Sequence, residues 1–365
     1  MEDLVMGLVD PTFWCGRRVF MTGHTGFKGS WLSLWLQDMG AVVTGYALTP
    51  VGEVSLFDAA RVADGMRSVI GDIRDLESLR SAMAEADPEI VIHMAAQPLV
   101  RLSYRDPLGT YETNVMGTAK VLEAARAMPA LRAVVSVTTD KCYENQEWDW
   151  GYRENEPMGG HDPYSNSKGC AELVTSAYRA SFFAPGGQVA LASARAGNVI
   201  GGGDWAADRI VPDAMAAFAK GEVLQVRNPN AIRPWQHVLE PLSGYLVLAQ
   251  ALWRGGAEFA EGWNFGPGGD DAQTVAEVIG TLQAAWGAGA SWQHDDGEHP
   301  HEARYLKLDT SKARNRLGWR PVWSVEHTLE RIVAWHRSWL AGNDMRGASL
   351  GEIKTYRAAA VAAQK

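Results

Sequence analysis

The chain has only three cysteines, Cys15, Cys142 and Cys170, with no C-x-x-C pair among them. That odd set builds no disulfide framework, so reduced thiols in a cytoplasmic setting are expected. Long apolar runs are missing as well: no stretch of the ~18 residues needed to cross a bilayer occurs. The first residues carry Glu2 and Asp3 rather than a basic stretch, which argues against a secretory signal. Basic charge is in deficit, with 34 Lys and Arg against 43 Asp and Glu, a formal net charge of −9. Nucleic acids and anionic membranes are therefore poor partners. Any phosphate-bearing ligand must be met locally, by a few Arg, Lys or backbone N–H groups. Metal-ligand spacing is absent too. His237, His294, His299, His301 and His327 form no i, i+4 pair and have no cysteine partner, so no metal is expected.

What is present is a large globular chain. Its 365 residues, 46% apolar and 21% charged, suffice for a sizeable core rather than disorder. Fifteen scattered tryptophans read as packing residues. Short apolar runs at VFMT (19–22), VVTGY (42–46), SVIG (68–71), IVIHMA (90–95), AVVSVT (133–138) and VALASAR (189–195) alternate with amphipathic stretches around 31–39, 76–86, 113–127 and 165–179. This alternation predicts parallel βαβ units: an α/β protein with a Rossmann-type, doubly wound parallel sheet. After residue 197 the pattern breaks into Gly- and Pro-punctuated loops, with helices expected near 211–220, 241–253, 274–285 and 325–340. The division read from this is a nucleotide-binding domain over 12–197, its sheet partly completed near 235–267. A smaller α/β substrate-binding region follows over 198–345, then a tail over 346–365 with a fraying Ala-rich end.

In VFMTGHTGFKGSWLSLWL, Gly23, Gly26 and Gly29 stand between the first strand and the first helix. Glycines at this spacing let the backbone turn tightly and approach a diphosphate, which rests on the helix N-terminus. A dinucleotide is the expected ligand of this loop, with His24, Phe27 and Lys28 around it. His24 is bulky where a small residue is expected, and is predicted to crowd the diphosphate and loosen binding. The second strand ends in Ala47, Leu48 and Thr49, with no carboxylate for a ribose and no cation for a 2′-phosphate. After the third strand, Asp72 is expected to accept from an adenine amine and Ile73 to pack on its ring, although Asp72 could merely cap the next helix.

Two further stretches carry acid–base chemistry. PYSNSK puts Tyr164 and Lys168 at i and i+4, on one face of a first helical turn. A Lys⁺ near a phenol favours the phenolate, giving a base for an alcohol. VTTDKCY ends a buried strand in Thr139, Asp140 and Lys141, an acid and an amine side by side.

In order, TGHTGFKG, DIRD, HMAAQ, TNVMGT, TTDKCY, YSNSK and RAGNVIGG resemble the extended short-chain dehydrogenase/reductases, in particular the nucleotide-sugar dehydratases and epimerases. TGHTGFKGSWL, MAAQPLVRLSY, DKCYENQEW, GYRENEPMGG, YSNSKGCAEL, IRPWQHVLEPLSGY and HPHEARYLKLD are similar to the branch that acts on CDP-glucose. The resemblance covers about residues 12–340. It implies NAD as cofactor, with Ala95, Ala96 and Gln97 beside it, and CDP-glucose as substrate of a 4,6-dehydration. Tyr164 would take the proton of the sugar 4-hydroxyl, Lys168 would bind the nicotinamide ribose, and Thr139 would hold the 4-oxygen. Asp140 would protonate the departing 6-hydroxyl. Lys141 stands where most such dehydratases carry a Glu base for the C5 proton. It could be that base if desolvation or a cationic neighbour lowers its pKa, or it could stay charged and stabilise an enolate while another group takes the proton. The first is the reading favoured here. A merely structural Asp140–Lys141 ion pair is disfavoured, since neighbouring residues at a strand end point apart.

The resemblance also implies that Asn114 shapes the active-site backbone, and that Asn198, Arg233 and Arg304 meet the diphosphate. Ile210, with Val211 and Pro212, would lie beside the base, and His301 with Glu302 would read its amino edge. Relatives pair through the helices around 113–127 and 165–179, so a homodimer or homotetramer is expected. Rival readings are an epimerase, a dehydratase of another sugar nucleotide, and a catalytically silent NAD-binding regulator. The Asp140–Lys141 pair argues against the epimerase, and Thr139, Tyr164 and Lys168 against the regulator.

Overall fold

The computed structural model describes residues 7–183, 187–268, 272–295, 297 and 306–364. Its strands are β1 (Arg18–Thr22), β2 (Val42–Ala47), β3 (Arg67–Ile70), β4 (Ile90–His93), β5 (Ala133–Val137), β6 (Ala190–Arg195), β7 (Val199–Ile200), β8 (Val223–Val226), β9 (Ile232–Pro234), β10 (Gln236–His237), β11 (Gly262–Asn264), β12 (Ala272–Thr274) and β13 (Ser291–His294). Seven of them form a central sheet in the order β11-β6-β5-β4-β1-β2-β3. Every pairing within it is parallel, with Val19 opposite Val43 on one side and Ile90 on the other. This is the doubly wound α/β architecture that the strand–helix alternation predicts. Residues buried on both faces explain the unbroken apolar runs: all of Ala133–Val137 and Ala190–Arg195 are buried, whereas edge strand β3 is not.

The main helices are α1 (Phe27–Asp38), α2 (Leu76–Ala86), α3 (Gly117–Ala125), α4 (Pro163–Ser181), α5 (Ile210–Lys220), α6 (Leu239–Gly255), α7 (Val275–Trp286), α8 (Val325–Leu340) and α9 (Met345–Ala362). On one face of the sheet Phe20, Tyr46, Leu79, Met83, Val121, Leu122 and Val134 form a core. On the other face Trp31, Trp35, Ile92, Val135, Leu242, Leu246 and Trp263 form a second. A third core belongs to α5, α7, α8 and β8, through Val211, Phe218, Leu224, Ile279, Leu282 and Leu329. Trp14, Trp31, Trp35, Trp263 and Trp319 are among the largest fully buried side chains.

Two elements differ from the sequence expectation. Residues 113–127 do not form one regular helix: a wide π-type turn at Glu112–Met116 precedes α3, and it swings Asn114 inward. The supposed tail from 346 onward forms most of α9, with Ser349, Glu352, Ile353 and Tyr356 buried. Two polar residues in that stripe hide its periodicity. The Tyr356 hydroxyl donates to Glu240 (2.6 Å), whose carboxylate also accepts the Val322 and Trp323 amides (3.1 and 2.7 Å). A docked partner thus converts a polar-looking segment into a core helix.

Strand order reverses between β1 and β4, so the chain leaves their carboxyl ends in opposite directions and opens a crevice there. The glycine loop after β1, residues 94–97 after β4 and residues 138–142 after β5 all lie at this edge.

Candidate active site

One cleft of about 350 Å³ collects four of the five catalytic candidates read from the sequence, all but Lys168. Thr139, Asp140, Lys141 and Tyr164 line it together with Phe27, Lys28, Asn198, Ile210 and Arg233. After β5 the backbone makes a tight helical turn at Asp140–Cys142 rather than continuing as a strand. This corrects the picture of side chains diverging from a strand end, because the turn lets Asp140 and Lys141 reach the same cleft. Among the described residues no ion pair joins the two. Asp140 is buried, accepts the Thr139 hydroxyl at 2.9 Å and faces the Asn198 amide at 3.5 Å.

Tyr164 and Lys168 sit in the first turns of α4. Asp162 caps this helix by accepting the Ser165 N–H, with Pro163 at the first helical position. Burial pushes the Tyr164 phenol up to about 12, Thr139 opposing it by a hydrogen bond and Asp140 adding to it. Burial therefore outweighs the lowering influences of Thr139 and Arg209. Burial also brings the Lys168 amine down to about 8, against the pull of Glu172, and the amine donates to the Val137 carbonyl (3.4 Å). Glu172, one turn beyond Lys168, forms a buried ion pair with Arg195 (2.8 Å). It also accepts the Thr138 and Ser193 hydroxyls, and Arg195 continues to the Tyr143 hydroxyl (2.6 Å). A carboxylate holding this many donors costs little to bury and fixes the Thr138–Thr139 backbone against α4.

The glycine loop has the shape a diphosphate needs. Gly23 has φ +80°, and a Cβ there would stand 2.8 Å from the Ala95 nitrogen. At Gly29 a Cβ would meet the Gly23 carbonyl oxygen at 2.0 Å, so the helix packs directly on the turn. At Gly26 the nearest atom is 3.4 Å away, and the space there opens at the N-terminus of α1. Thr22 Oγ1 accepts the Met94 and Ala95 amides (3.1 Å each) and contacts His93 Nδ1 at 2.7 Å. His93 Nε2 contacts Thr118 Oγ1 (3.0 Å), which donates to the Asn114 carbonyl. The direction of that last bond makes Nε2 the protonated nitrogen and Nδ1 an acceptor. The Asn114 side chain accepts the Gln97 N–H (2.8 Å) and donates to the Gln97 carbonyl (3.0 Å) and Ser167 (2.9 Å). The loops after β1 and β4, with Ala95, Ala96 and Gln97, are thereby tied to α4, the helix of Tyr164 and Lys168.

One sequence expectation about the loop needs correction. His24 does not crowd a diphosphate: its ring is fully buried beneath the loop, against Phe57, with Nε2 on Ser68 Oγ (2.7 Å). Gly45 makes the space, since a Cβ there would lie 2.3 Å from the ring. After the third strand, Ile73 is 3% exposed and packs toward Gly117. Asp72 already binds Arg74, through a side-chain contact of 2.6 Å and the Arg74 amide at 2.9 Å.

At the far end of the cleft, Ile210 opens α5, Arg233 lies on β9, and Asn198 is held at φ +48°. His301, Glu302 and Arg304 lie outside the described residues. Sequence reasoning missed Arg101, Arg209 and Arg227, which also line the cleft. Arg209 pairs with Asp204 (2.9 Å), and its charge acts on both Tyr164 and Lys28. Its place immediately before Ile210-Val211-Pro212 was the available signal. Burial brings the Lys28 amine down to about 7, helped by Lys168 and Arg209. Lys28, Arg101, Lys141, Arg209, Arg227 and Arg233 outnumber Asp140, Asp204 and Asp208, so the cleft is locally cationic in an acidic protein.

The family model described as GDP-mannose 4,6 dehydratase matches residues 20–332. A CDP-glucose 4,6-dehydratase from Salmonella typhimurium is 60% identical over 356 residues, 96% of this chain and 99% of that protein. A dTDP-glucose 4,6-dehydratase from Streptomyces griseus is 30% identical, over 88% of this chain and 95% of the relative. Among solved structures, the dTDP-glucose 4,6-dehydratase of Streptomyces venezuelae, with NAD bound, superposes with a TM-score of 0.75 at 26% identity. That match covers 90% of this chain and 99% of the other.

Proposed function

The chain belongs to the family described as GDP-mannose 4,6 dehydratase, and from that premise we propose that it dehydrates CDP-glucose to CDP-4-dehydro-6-deoxy-glucose. It is a hydro-lyase that uses NAD. The observation that carries the reading is the gathering of Thr139, Asp140, Lys141 and Tyr164 in one cationic cleft beside the glycine loop.

The glycine loop, with its open space at Gly26, and the tied-down backbone at Ala95–Gln97 are the parts that fit the cofactor. When bound there, NAD⁺ would supply the hydride acceptor for C4 and the hydride donor for C6, so the reaction has no net redox change. The protein's side chains move the protons. Tyr164 takes the proton of the 4-hydroxyl, with Thr139 on the same oxygen and Lys168 behind. The resulting 4-ketone acidifies the C5 proton, which Lys141 takes. Asp140 protonates the 6-hydroxyl, which leaves as water. Arg209 and Arg233 meet the diphosphate, where the forked guanidinium suits phosphate oxygens. An epimerase would have no use for an amine at C5 and an acid at the 6-hydroxyl.

The reading extends to assembly and compartment. Leu108, Met116 and Leu173 stand exposed on neighbouring helical segments, which supports a homodimer or homotetramer. Cys15, Cys142 and Cys170 are free thiols, which supports a reducing cytoplasm.

The test is to incubate the purified protein with NAD⁺ and CDP-glucose, dTDP-glucose, GDP-mannose or UDP-glucose, and resolve products by mass and NMR. A product lighter by one water, with a 4-ketone and a C6 methyl, is expected from CDP-glucose alone. An isomer of unchanged mass would refute the proposal. Lys141→Met is expected to form the 4-ketone but to lose exchange of the C5 hydrogen with solvent deuterium, by roughly 100-fold or more. Unchanged exchange would assign the C5 step to another group.

A further inference from the structure

Asp140 rests directly on the backbone of residue 197. A methyl group on Gly197 would stand 1.7 Å from Asp140 Oδ2 and 2.0 Å from its Cγ, far inside van der Waals contact. The carboxylate is otherwise enclosed: it is 1% exposed, with Thr139 Oγ1 on one oxygen and Asn198 Nδ2 near the other. The backbone it leans on is itself pinned. Gln236, buried, donates from Nε2 to the Gly197 carbonyl (3.0 Å) and to the Phe265 carbonyl (3.1 Å). Its own amide donates to the Asn198 carbonyl (3.2 Å), in register with the β7–β10 pairing. Asn198, next in the chain, holds a left-handed conformation that costs free energy for a residue with a side chain. A strained kink, clamped from behind, therefore presents a bare Cα to the carboxyl group.

We propose that Gly197, clamped by Gln236, is a positioning residue for the elimination half of the reaction. It holds the Asp140 carboxyl where its proton can pass to the 6-oxygen. In that step the C5–H electron pair forms the C5–C6 double bond and the C6–O bond breaks. Water leaves with the Asp140 proton, and the C5 proton goes to the base. This rests on the function proposed above. Oxidation at C4 uses Thr139, Tyr164 and Lys168 and does not need Asp140 to be set so finely.

The experiment is a cycle of Gly197→Ala, Asp140→Ala and the double variant, reading the two halves separately. The 4-keto hexose is trapped with borodeuteride and the dehydrated product is measured by mass. Gly197→Ala is expected to keep C4 oxidation within about threefold while dehydration falls roughly 100-fold, the scale of a lost general acid. In the double variant Gly197→Ala should add nothing further, because the methyl group then occupies the space the carboxyl left. The melting temperature should follow the same pattern, with the loss in Gly197→Ala recovered in the double variant. Gln236→Leu should move the ratio of dehydration to oxidation in the same direction, by less. Wild-type dehydration in Gly197→Ala, an equal fall of both halves, or additive losses in the double variant would overturn the proposal. Wild-type protein that leaves CDP-glucose untouched would count against the function instead, and the thermal cycle would still decide the 140–197 contact.

Discussion

At the scale of single residues, burial sets the protonation states that the fold depends on. Burial brings His24 and His336 down to about 4, and brings His93 down to about 3 with some help from Lys168. All three are neutral in the folded protein near pH 7. The unfolded chain binds protons at these sites from about pH 6.5 downward, whereas the fold does not until about 4 or 3. Stability is therefore expected to fall as pH drops through 6.5 to 4, each histidine contributing about 1.4 kcal/mol per pH unit inside its window. Below the folded value a site contributes no further slope. Calorimetric melting against pH measures this, and His24→Gln should flatten the slope relative to wild type. Identical slopes in the two proteins would show that the His24 ring titrates normally in the fold.

At the scale of elements, the turn from β1 into α1 separates two jobs that its glycines do. Gly29 is needed by the protein, because a Cβ there collides with the Gly23 carbonyl at 2.0 Å. Gly26 is free of any such collision and faces the space assigned to the diphosphate. Gly29→Ala is expected to lower stability by about 1–3 kcal/mol, the usual cost of overpacking. Gly26→Ala is expected to leave stability within about 0.5 kcal/mol, as surface changes do, while weakening NAD⁺. Calorimetric titration with NAD⁺ beside thermal melts separates the two. Equal melting temperatures, or undiminished NAD⁺ affinity in Gly26→Ala, would mean that the division of labour is wrong.

At the scale of the whole molecule, the three largest cores among the described residues share one chain, and the cleft lies where the third meets the sheet edge. Ile200, Val211, Val226 and Trp235 belong to that third core and also line the cleft. Binding a ligand there engages both the sheet and the α5–α7–α8 layer. Outside the cleft Leu108 is 80% and Leu173 60% exposed, an apolar surface that water does not favour. Leu173→Glu is expected to shift the assembly toward monomer in light scattering, because a carboxylate is costly to bury unpaired. A wild-type protein already monomeric at working concentration would remove the homo-oligomer from the proposal.

The sequence by itself determined six of the seven strands of the sheet, because a strand buried on one or both faces reads as a short apolar run. It also determined the Tyr164–Lys168 pair, since i, i+4 spacing on a capped helix fixes a shared face without help from the rest of the chain. The tertiary structure decided what depends on contacts distant in sequence. His24 looked like an obstacle until Gly45, on the neighbouring strand, provided room for its ring. Residues after 345 looked like a tail until Glu240 supplied a partner for Tyr356. The Glu172–Arg195 pair and the seat of Asp140 on Gly197 join residues 23 and 57 positions apart, and no local pattern records them. Backbone periodicity is a local property and can be read along the chain. The placement of a buried charge is a property of everything packed around it, and only the folded chain decides it.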